Sequence, residues 1–166
     1  YRCIVTCAAS SDTSTSVLVG MNSFTNCGCT SSATNTADDD IGNVTFGSLN
    51  NGVGTPALGN STSVNLFTDF TNLPPQTFMQ GINYPISVTQ INSSQFFYSC
   101  FLTAYIDYNH DGLYDINTEL IFSGQTDASL GGNTLTGTVT IPLTSLPGLT
   151  GLRLILQENG SITQPS

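Results

Sequence analysis

Hydrophobic residues alternate with polar ones along most of this chain, and this period of two constrains its fold more than any other feature. An amphipathic helix would instead place apolar residues at intervals of three and four. In the segment Tyr84–Ile91, for example, one face carries Tyr84, Ile86 and Val88. We expect these side chains to point inward. The pattern therefore predicts an all-β chain.

Turn signals divide this pattern into about seven strands, the number typical of a β-sandwich. Phe96–Ile106 carries apolar groups on both faces, so it is expected to be the longest strand and a central one. Asn50-Asn51-Gly52 is a strong turn signal. We predict an antiparallel β-sandwich, immunoglobulin-like or jelly-roll-like, with strands at Ile41–Leu49, Ser63–Phe70, Tyr84–Ile91, Phe96–Ile106, Glu119–Phe122, Leu135–Ile141 and Gly151–Gln157.

The N-terminal segment differs from the rest of the chain, because cysteine-rich ends flank a polar run there. It contains a short strand-like stretch in which Val17, Val19 and Met21 share a face. We predict three parts: a cysteine-containing arm at residues 1–36 that is a candidate strand donor, a β-sandwich at residues 37–157, and a polar tail at residues 158–166.

Charged residues make up only 8% of the chain, compared with about 25% in ordinary soluble domains. Lysine is absent, Arg2 and Arg153 are the only arginines, and the net charge is −9. This charge disfavours nucleic acids and anionic membranes as partners. No apolar run is long enough to span a membrane. The sequence begins at Tyr1 without a methionine or an apolar signal region, so we expect a processed mature form or a part of it.

Serine, threonine and asparagine supply the surface in place of charge, as in secreted or cell-surface proteins hydrated by hydroxyls or glycans. Four Asn-x-Ser/Thr sequons are candidate acceptors for covalent glycans: Asn43, Asn60, Asn92 and Asn159. Sequons also arise by chance in a chain this rich in these residues, so glycosylation is an expectation for an extracellular protein.

Four of the five cysteines, Cys3, Cys7, Cys27 and Cys29, lie in the first 29 residues, where disulfide bonds would stabilise the arm in an oxidising compartment. A zinc site is the alternative, but this spacing is not a common one for zinc. Cys100 shares its strand phase with Leu102 and Ala104, so we expect a buried thiol. Because five is odd, at least one cysteine is free or pairs between chains.

The segment Asp107–Asp115 places oxygen side chains at alternate positions and follows them with a glycine. In a calcium loop of the EF-hand type, positions 1, 3 and 5 carry such ligands, position 6 is glycine and position 7 offers a carbonyl. These positions correspond to Asp107, Asn109, Asp111, Gly112 and Leu113. The alternative is a plain Asp-Gly turn whose acids face water.

The closing acid of the loop is Glu119, one residue later than in an EF-hand, and the flanking segments read as strands. We therefore predict a Ca²⁺ site on a β scaffold. Its candidate ligands are Asp107, Asn109, Asp111, the carbonyl of Leu113, Asp115 and Glu119. Calcium suits this set because it accepts six to eight oxygens in a flexible shell.

The residues that catalysis needs are scarce in this sequence. His110 is the only histidine and lies at a loop position that usually faces water, so a nucleophile–histidine site is not expected. The absence of lysine excludes Schiff-base chemistry. A glycosidic pair of carboxylates stays open, since acids are present. We expect a protein that is not an enzyme, with no catalytic residues.

Five segments of the chain resemble the GEVED domain, a β-sandwich module of secreted and surface proteins, mainly bacterial. They are Ile41–Asn51, Phe67–Thr71, Tyr105–Gly112 with the later Glu119, Leu135–Pro142 and Gly151–Leu154. In the family's pattern the glutamate follows the DxNxDG loop at position 13, which is where Glu119 stands. The resemblance covers about residues 39–157 and implies the fold and the loop described above.

The Gly-Glu-Val-Glu-Asp segment that names this family, and whose strand closes its sandwich, is absent from the sequence. After Gln157 the chain is polar and too short to supply that strand. A sandwich without an edge strand exposes backbone groups and core. Three remedies stay open: the arm of the same chain fills the gap, the arm of a neighbouring copy fills it, or the chain continues past Ser166.

Strand donation between copies is head-to-tail and does not close, so it builds a filament. The first functional hypothesis is therefore a calcium-stabilised, glycosylated subunit of an extracellular homopolymer. The alternative is a monomeric secreted module that binds carbohydrate or another surface partner.

Overall fold

A computed structural model describes residues 4–7, 10–13, 39–52, 69–92, 98–127 and 134–158 of the chain. These residues form nine strands connected by turns and irregular segments, with no helix among them. The strands are β1 (Ile4–Cys7), β2 (Ser10–Thr13), β3 (Asp39–Phe46), β4 (Leu49–Gly52), β5 (Asn83–Asn92), β6 (Cys100–Ile106), β7 (Leu120–Gln125), β8 (Thr134–Thr140) and β9 (Leu152–Glu158).

Seven of these strands form two antiparallel sheets, and β1 and β2 form a separate hairpin. The larger sheet has the order β4-β3-β5-β8 and the smaller sheet the order β7-β6-β9. The sheets face each other, with β7 packed across from β8 and β9 across from β3. The prediction of an all-β antiparallel sandwich of about seven strands is therefore confirmed.

Alternating side chains of both sheets make the core. Phe46, Ile86, Val88, Leu102 and Ala104 are at most 2% exposed and belong to a single hydrophobic cluster. Ile86 and Val88 point inward as predicted, because successive residues of a strand face opposite sides of the sheet.

The strand β6 is the centre of the smaller sheet, as its two apolar faces predicted, and pairs with β7 on one side and β9 on the other. It is not the longest strand. It spans seven residues, Cys100–Ile106, whereas β5 spans ten. Residues 98 and 99 precede it without strand structure.

The prediction of a single strand over Ile41–Leu49 with a turn at Asn50–Gly52 is wrong. The chain turns at Gly47 and Ser48, and Asn50–Gly52 lies within β4, which pairs back onto β3. Gly47 has φ of 58°, and a Cβ there would lie 2.9 Å from the ring of Phe78. Only glycine combines that backbone conformation with that close approach, so the reversal occurs at Gly47.

Several predictions concern residues outside the described ranges. The strand-donor candidates Val17, Val19 and Met21 lie there, as do Cys3, Cys27 and Cys29 of the proposed disulfides. The remaining partner, Cys7, ends β1. Of the predicted strand Ser63–Phe70, only Asp69 and Phe70 are described, and they have no regular structure.

The Cys100 thiol is buried and free, as its strand phase predicted, with only 1% of the residue exposed. It lies 3.8 Å from the Asp39 carboxylate and 3.5 Å from the Gln90 amide nitrogen. Burial, reinforced by the negative charge of Asp39, raises the pKa of the thiol to about 12. The thiol is therefore protonated at neutral pH and donates to the carboxylate.

We predict that replacing Gly137 by alanine destabilises the sandwich by about 1–3 kcal/mol, the usual cost of overpacking a core. A Cβ at this position of β8 would lie 2.6 Å from a ring carbon of Phe122 on β7, in the opposite sheet. The free energy of unfolding in urea measures the effect. Thr138→Ala, at the next and exposed position of β8, is the control and should change that free energy by much less. Equal stability of Gly137→Ala and the unmodified chain would contradict this packing.

We also predict that Cys100 in the folded protein resists alkylation by iodoacetamide at mildly alkaline pH and reacts rapidly in urea. Its ordinary pKa is 9.0, and its pKa in the folded state is about 12. The stability contributed by this neutral thiol is therefore complete below pH 9.0 and is lost as the pH rises towards 12. Mass spectrometry of the peptide containing Cys100 measures the labelling. Equal rates in buffer and in urea would show that the thiol is accessible.

Candidate functional site

Asp107, the first residue of the predicted calcium loop, follows directly on β6 and is 2% exposed. Its Oδ2 accepts a hydrogen bond of 3.0 Å from the backbone N–H of Gly112, which closes the loop over six residues. Its Oδ1 is also buried and accepts no hydrogen bond from the described part of the chain. A buried carboxylate oxygen without a donor is costly, so this atom is suited to a cation.

Glu119, the closing acid, directly precedes β7 and is also 2% exposed. Its Oε1 accepts from the N–H groups of Tyr108 at 2.9 Å and Asn109 at 3.3 Å. Its Oε2 accepts from the N–H of Asp115 at 2.9 Å. The structure therefore brings the first and last acids of the loop to the same buried region, since Tyr108 is the residue after Asp107.

The other acids of the loop are nearer the surface and organise its turns. The Oδ1 of Asp111 accepts from the N–H of Leu113, while the Asp111 N–H donates to the Oδ1 of Asn109. Asp115 accepts from the backbone of Asn117 and from Thr118. The bond from Asn117 is the main cause that lowers the pKa of the Asp115 carboxyl. The Asp115 carboxyl is therefore ionised at neutral pH, and the hydrogen bonds hold both side chains close to the loop.

Three hydrogen bonds that the sequence did not indicate fasten this loop to other parts of the sandwich. Thr150 donates its hydroxyl to the Asp107 carbonyl, and the Asp107 N–H donates to Gly151 at 3.3 Å. The N–H of Leu146 donates to the Tyr108 carbonyl at 2.8 Å. These partners are distant in sequence and carry no motif, so only the tertiary structure identifies them.

The donor set of the loop fits a calcium ion in its chemistry. It offers carboxylates from Asp107, Asp111 and Glu119, the amide oxygen of Asn109 and the carbonyl of Leu113, all oxygen ligands of the kind that calcium prefers. Within the described ranges, however, no three acidic, histidine or cysteine side chains converge closely enough to form a metal cluster. Asp111 and Asp115 instead accept hydrogen bonds from the loop backbone, so binding an ion would require them to turn inward.

Two tyrosines flank the loop. Burial, together with the charge of Glu119, raises the pKa of Tyr108 to about 12. Burial also raises the pKa of Tyr114, although the positive charge of Arg153 acts to lower it. The guanidinium carbon of Arg153 lies 5.5 Å from the centre of the Tyr114 ring. Both phenols are therefore neutral hydrogen-bond donors at neutral pH, and Arg153 contributes a cation–π contact beside the acidic loop.

Two of the four predicted glycan acceptors are within the described residues. Asn43 is half-buried in β3, and its amide nitrogen donates to Asn50 at 3.1 Å. Asn92 is only 1% exposed, and its amide nitrogen donates to Asp39 at 2.9 Å. Because a glycan needs this nitrogen in solvent, the structure argues against Asn92 as an acceptor in the folded protein. Asn60 and Asn159 lie outside the described residues.

No curated protein and no solved structure is significantly similar to the chain. None of the described residues belongs to a helix of the length and hydrophobicity that crossing a membrane requires. The family model of the GEVED domain matches residues 101–166, which include the loop, the strands β7 to β9 and all of β6 except Cys100. The two N-terminal segments of the resemblance, Ile41–Asn51 and Phe67–Thr71, lie outside this match. The resemblance is confirmed over the matched region: residues 101–166 are similar to the GEVED domain.

Proposed function

We propose that this chain is a non-catalytic structural subunit of an extracellular filament, in which each sandwich accepts a strand from the N-terminal arm of a neighbouring copy. The observation that carries the proposal is the unequal size of the two sheets that the described residues form, four strands against three. An incomplete sheet leaves a position where a further strand can pair, and strand addition at a sheet edge is a common mode of association.

The position of that additional strand follows from the packing of the sheets. Since β7 faces β8 and β9 faces β3, the central strand β6 lies across from β5. The fourth strand of the larger sheet, β4, then extends beyond β9 with no strand of the smaller sheet opposite it among the described residues. A strand added beside β9 would cover β4 and make the two sheets equal.

The side chains of β9 are consistent with such an addition. Leu152, Leu154 and Leu156 pack against the core, yet each is only half-buried. On one side β9 pairs with β6, and on its other side no described strand satisfies its backbone groups. A further strand would bury more of these leucines and pair these groups, and both changes stabilise the sandwich.

The donor in this proposal is the N-terminal arm, because Val17, Val19 and Met21 alternate as an inserted strand requires. Donation to a neighbour is heterologous and open-ended, so repeated donation extends a filament. If the arm instead pairs with β9 of its own chain, the product is a monomer.

Calcium is the proposed cofactor, bound by Asp107, Asn109, Asp111, the Leu113 carbonyl and Glu119, with Asp115 as a further ligand. The unpaired and buried Oδ1 of Asp107 supports this assignment. When bound, the ion would neutralise carboxylates and hold the loop rigid. Its proposed role is stability and not chemistry.

The extracellular location and the glycans belong to the same proposal. Disulfides among Cys3, Cys7, Cys27 and Cys29 would require an oxidising compartment. Asn43, Asn60 and Asn159 remain the candidate acceptors once the buried Asn92 is set aside. The low content of charged residues supports a surface hydrated by hydroxyls and glycans.

A second candidate function is a monomeric module that binds a surface partner. The observation that favours it is a group of exposed apolar side chains on neighbouring turns, where Met79 is 65%, Leu143 is 77% and Leu146 is 52% exposed. The turns are joined by a hydrogen bond from Gln80 to the carbonyl of Ser145. Exposed apolar groups close together are typical of interaction sites.

We predict that Ca²⁺ raises the melting temperature and that EDTA reverses the increase. Calcium at a hundred times its dissociation constant would add about 2.7 kcal/mol to the free energy of unfolding. Asp111→Asn removes one proposed ligand charge, so calcium should bind roughly tenfold more weakly, as measured by isothermal titration calorimetry. Asp69→Asn removes the same charge outside the loop and should leave the affinity unchanged. Equal melting in Ca²⁺ and EDTA would disprove the calcium site.

For assembly, we predict that the full chain forms filaments with a regular repeat in negative-stain electron microscopy. The double substitution of Val17 and Val19 by aspartate should abolish them, because it would place two charges against the apolar side of the acceptor sheet. Substituting Ser14 and Ser16 by aspartate adds the same charge to the same segment and is the control.

Particles near 17.5 kDa plus any glycans, measured by light scattering, would contradict the filament and favour the monomeric module. Filaments that persist with aspartate at both valine positions would show that another segment supplies the strand.

A further inference from the structure

The strand β8 is the least protected of the four edge strands in the two sheets that the described residues form. A protein normally protects an edge by making it short, by a bulge, by a charge or by a proline, because its backbone groups can otherwise pair with another chain. The edge strand β4 has only four residues, the pairing of β7 with β6 shifts register between Ala104 and Tyr105, and β9 carries Arg153 and Glu158. By contrast, β8 has seven residues, pairs with β5 without a register shift, and contains neither a charge nor a proline.

The sequence of β8 follows nearly the same pattern in both directions. On each side of Gly137, threonine occupies the first and third positions, and an aliphatic residue occupies the second, Leu135 before the glycine and Val139 after it. A contact between two identical copies across a twofold axis brings residue i opposite j and j opposite i, so such an edge has to be self-complementary. A palindromic strand meets this condition when it pairs antiparallel with itself.

With the twofold axis at Gly137, each residue of β8 lies opposite a residue of its own kind in the second copy. The pairs are Thr134 with Thr140, Leu135 with Val139, and Thr136 with Thr138. Threonine pairs and aliphatic pairs directly opposite each other stabilise antiparallel strands. The register that symmetry imposes is therefore also a favourable one for the side chains.

The outer face of the larger sheet already contains the kind of hydroxyl pair that this contact would repeat. The hydroxyls of Thr89 on β5 and Thr134 on β8 are 2.8 Å apart, and those of Thr45 on β3 and Ser87 on β5 are 2.7 Å apart. All four threonines of β8 are exposed on this face. Another strand beside β8 would continue the same rows of hydroxyls across the sheet.

The core face of β8 offers apolar surface to the same contact. Leu135 packs against the core but is only half-buried, whereas Val139 is 3% exposed. In the twofold register, Val139 of the second copy lies beside Leu135 and covers more of it. Burial of this leucine adds to the stability that the backbone pairing supplies.

Charge favours this side of the sandwich as a contact between copies. The net charge of the chain is −9, so two copies repel each other in most orientations. The strands β7 and β8, which lie across from each other on this side, contain no charged residue. The acids nearest to them in sequence are Glu119, which is buried, and Asp127, which lies beyond the end of β7. Repulsion is therefore small when two copies meet through β8.

From these observations we propose that the β8 strands of two copies pair antiparallel about a twofold axis at Gly137, which joins two four-stranded sheets into one sheet of eight strands. The partner is a second copy of this chain. The contact lies on the side of the sandwich away from β9, so it does not depend on strand donation.

The consequence of this contact depends on how the chain assembles. One strand per copy is a small interface, so two separate copies pair weakly and reversibly. Along two filaments the contact would repeat many times, and multivalency would then hold the filaments side by side. In a monomeric binding module, the same contact gives a twofold dimer with two equivalent sites.

The test is hydrogen–deuterium exchange of the full chain, measured by mass spectrometry on the peptide that contains β8. Amides on the open side of β8 exchange rapidly in a single copy and are protected when a second copy pairs with them. We expect protection that increases with protein concentration, and a dilution series gives the dissociation constant. Strand donation at β9 leaves β8 unpaired, so this measurement reports the β8 contact whether or not filaments form.

The combined substitution Thr136→Lys with Thr138→Lys places like charges opposite each other at two points and should raise the dissociation constant at least about tenfold. It also makes the chain less negative, which by itself would favour association. Thr136→Lys with Thr138→Glu places opposite charges at the same two points and should preserve the contact. Thr71→Lys with Asn72→Lys adds two positive charges at exposed positions outside the sheets, and is the control that should not weaken pairing.

Three results would overturn the proposal: exchange of the β8 amides that is equally fast at every concentration, protection that the two lysines on β8 leave unchanged, or equal loss of protection in the variant with lysine and glutamate. Filaments that are absent while β8 remains protected would disprove strand donation and leave the β8 contact supported. Filaments in which β8 is unprotected would have the opposite meaning.

Discussion

The buried carboxylate of Glu119 holds together the loop that connects β6 to β7 in the smaller sheet. It accepts hydrogen bonds from the N–H groups of Tyr108, Asn109 and Asp115, and the backbone carbonyl of the same residue accepts from Ile106. A buried charge is tolerated only when such donors surround it. Without this carboxylate, three N–H groups would lose their partner, and the end of β6 would separate from the start of β7.

The third strand of that sheet depends on the same loop. Asp107 binds both Thr150 and Gly151, the two residues that lead into β9. The position of the β9 edge is therefore fixed by the loop. In the proposed function, a calcium ion that orders the loop would also hold the edge to which a strand is added, so stability and assembly would be linked through one group of contacts.

The sequence was most informative where a structural rule acts over a few neighbouring residues. The period of two identified the inward side chains of β5, and the alternating oxygens identified the segment Asp107–Gly112 as one closed loop. It was least informative where distant residues decide the outcome. The ring of Phe78 helps to require a glycine at the β3–β4 turn, and Asn92 is buried with its amide donating to Asp39, but neither feature has a local signal. The hydrogen bond from Leu146 to the Tyr108 carbonyl likewise joins two segments whose contact appears only in the folded chain.

Two of the four sheet edges that the described strands leave, β8 and β9, differ in a way that bears on assembly. The edge strand β8 has exposed threonines on its outer face, and β7 lies across from it, so its core face is covered. The edge strand β9 keeps half-exposed leucines toward the core. It lies across from β3, so β4 of the larger sheet extends beyond it. A protein usually protects an edge by charge or by cover, and β9 carries only Arg153 and Glu158 as charged residues. Since charge is sparse on β9, cover by a further strand is the simpler way to protect this edge, whichever chain supplies that strand.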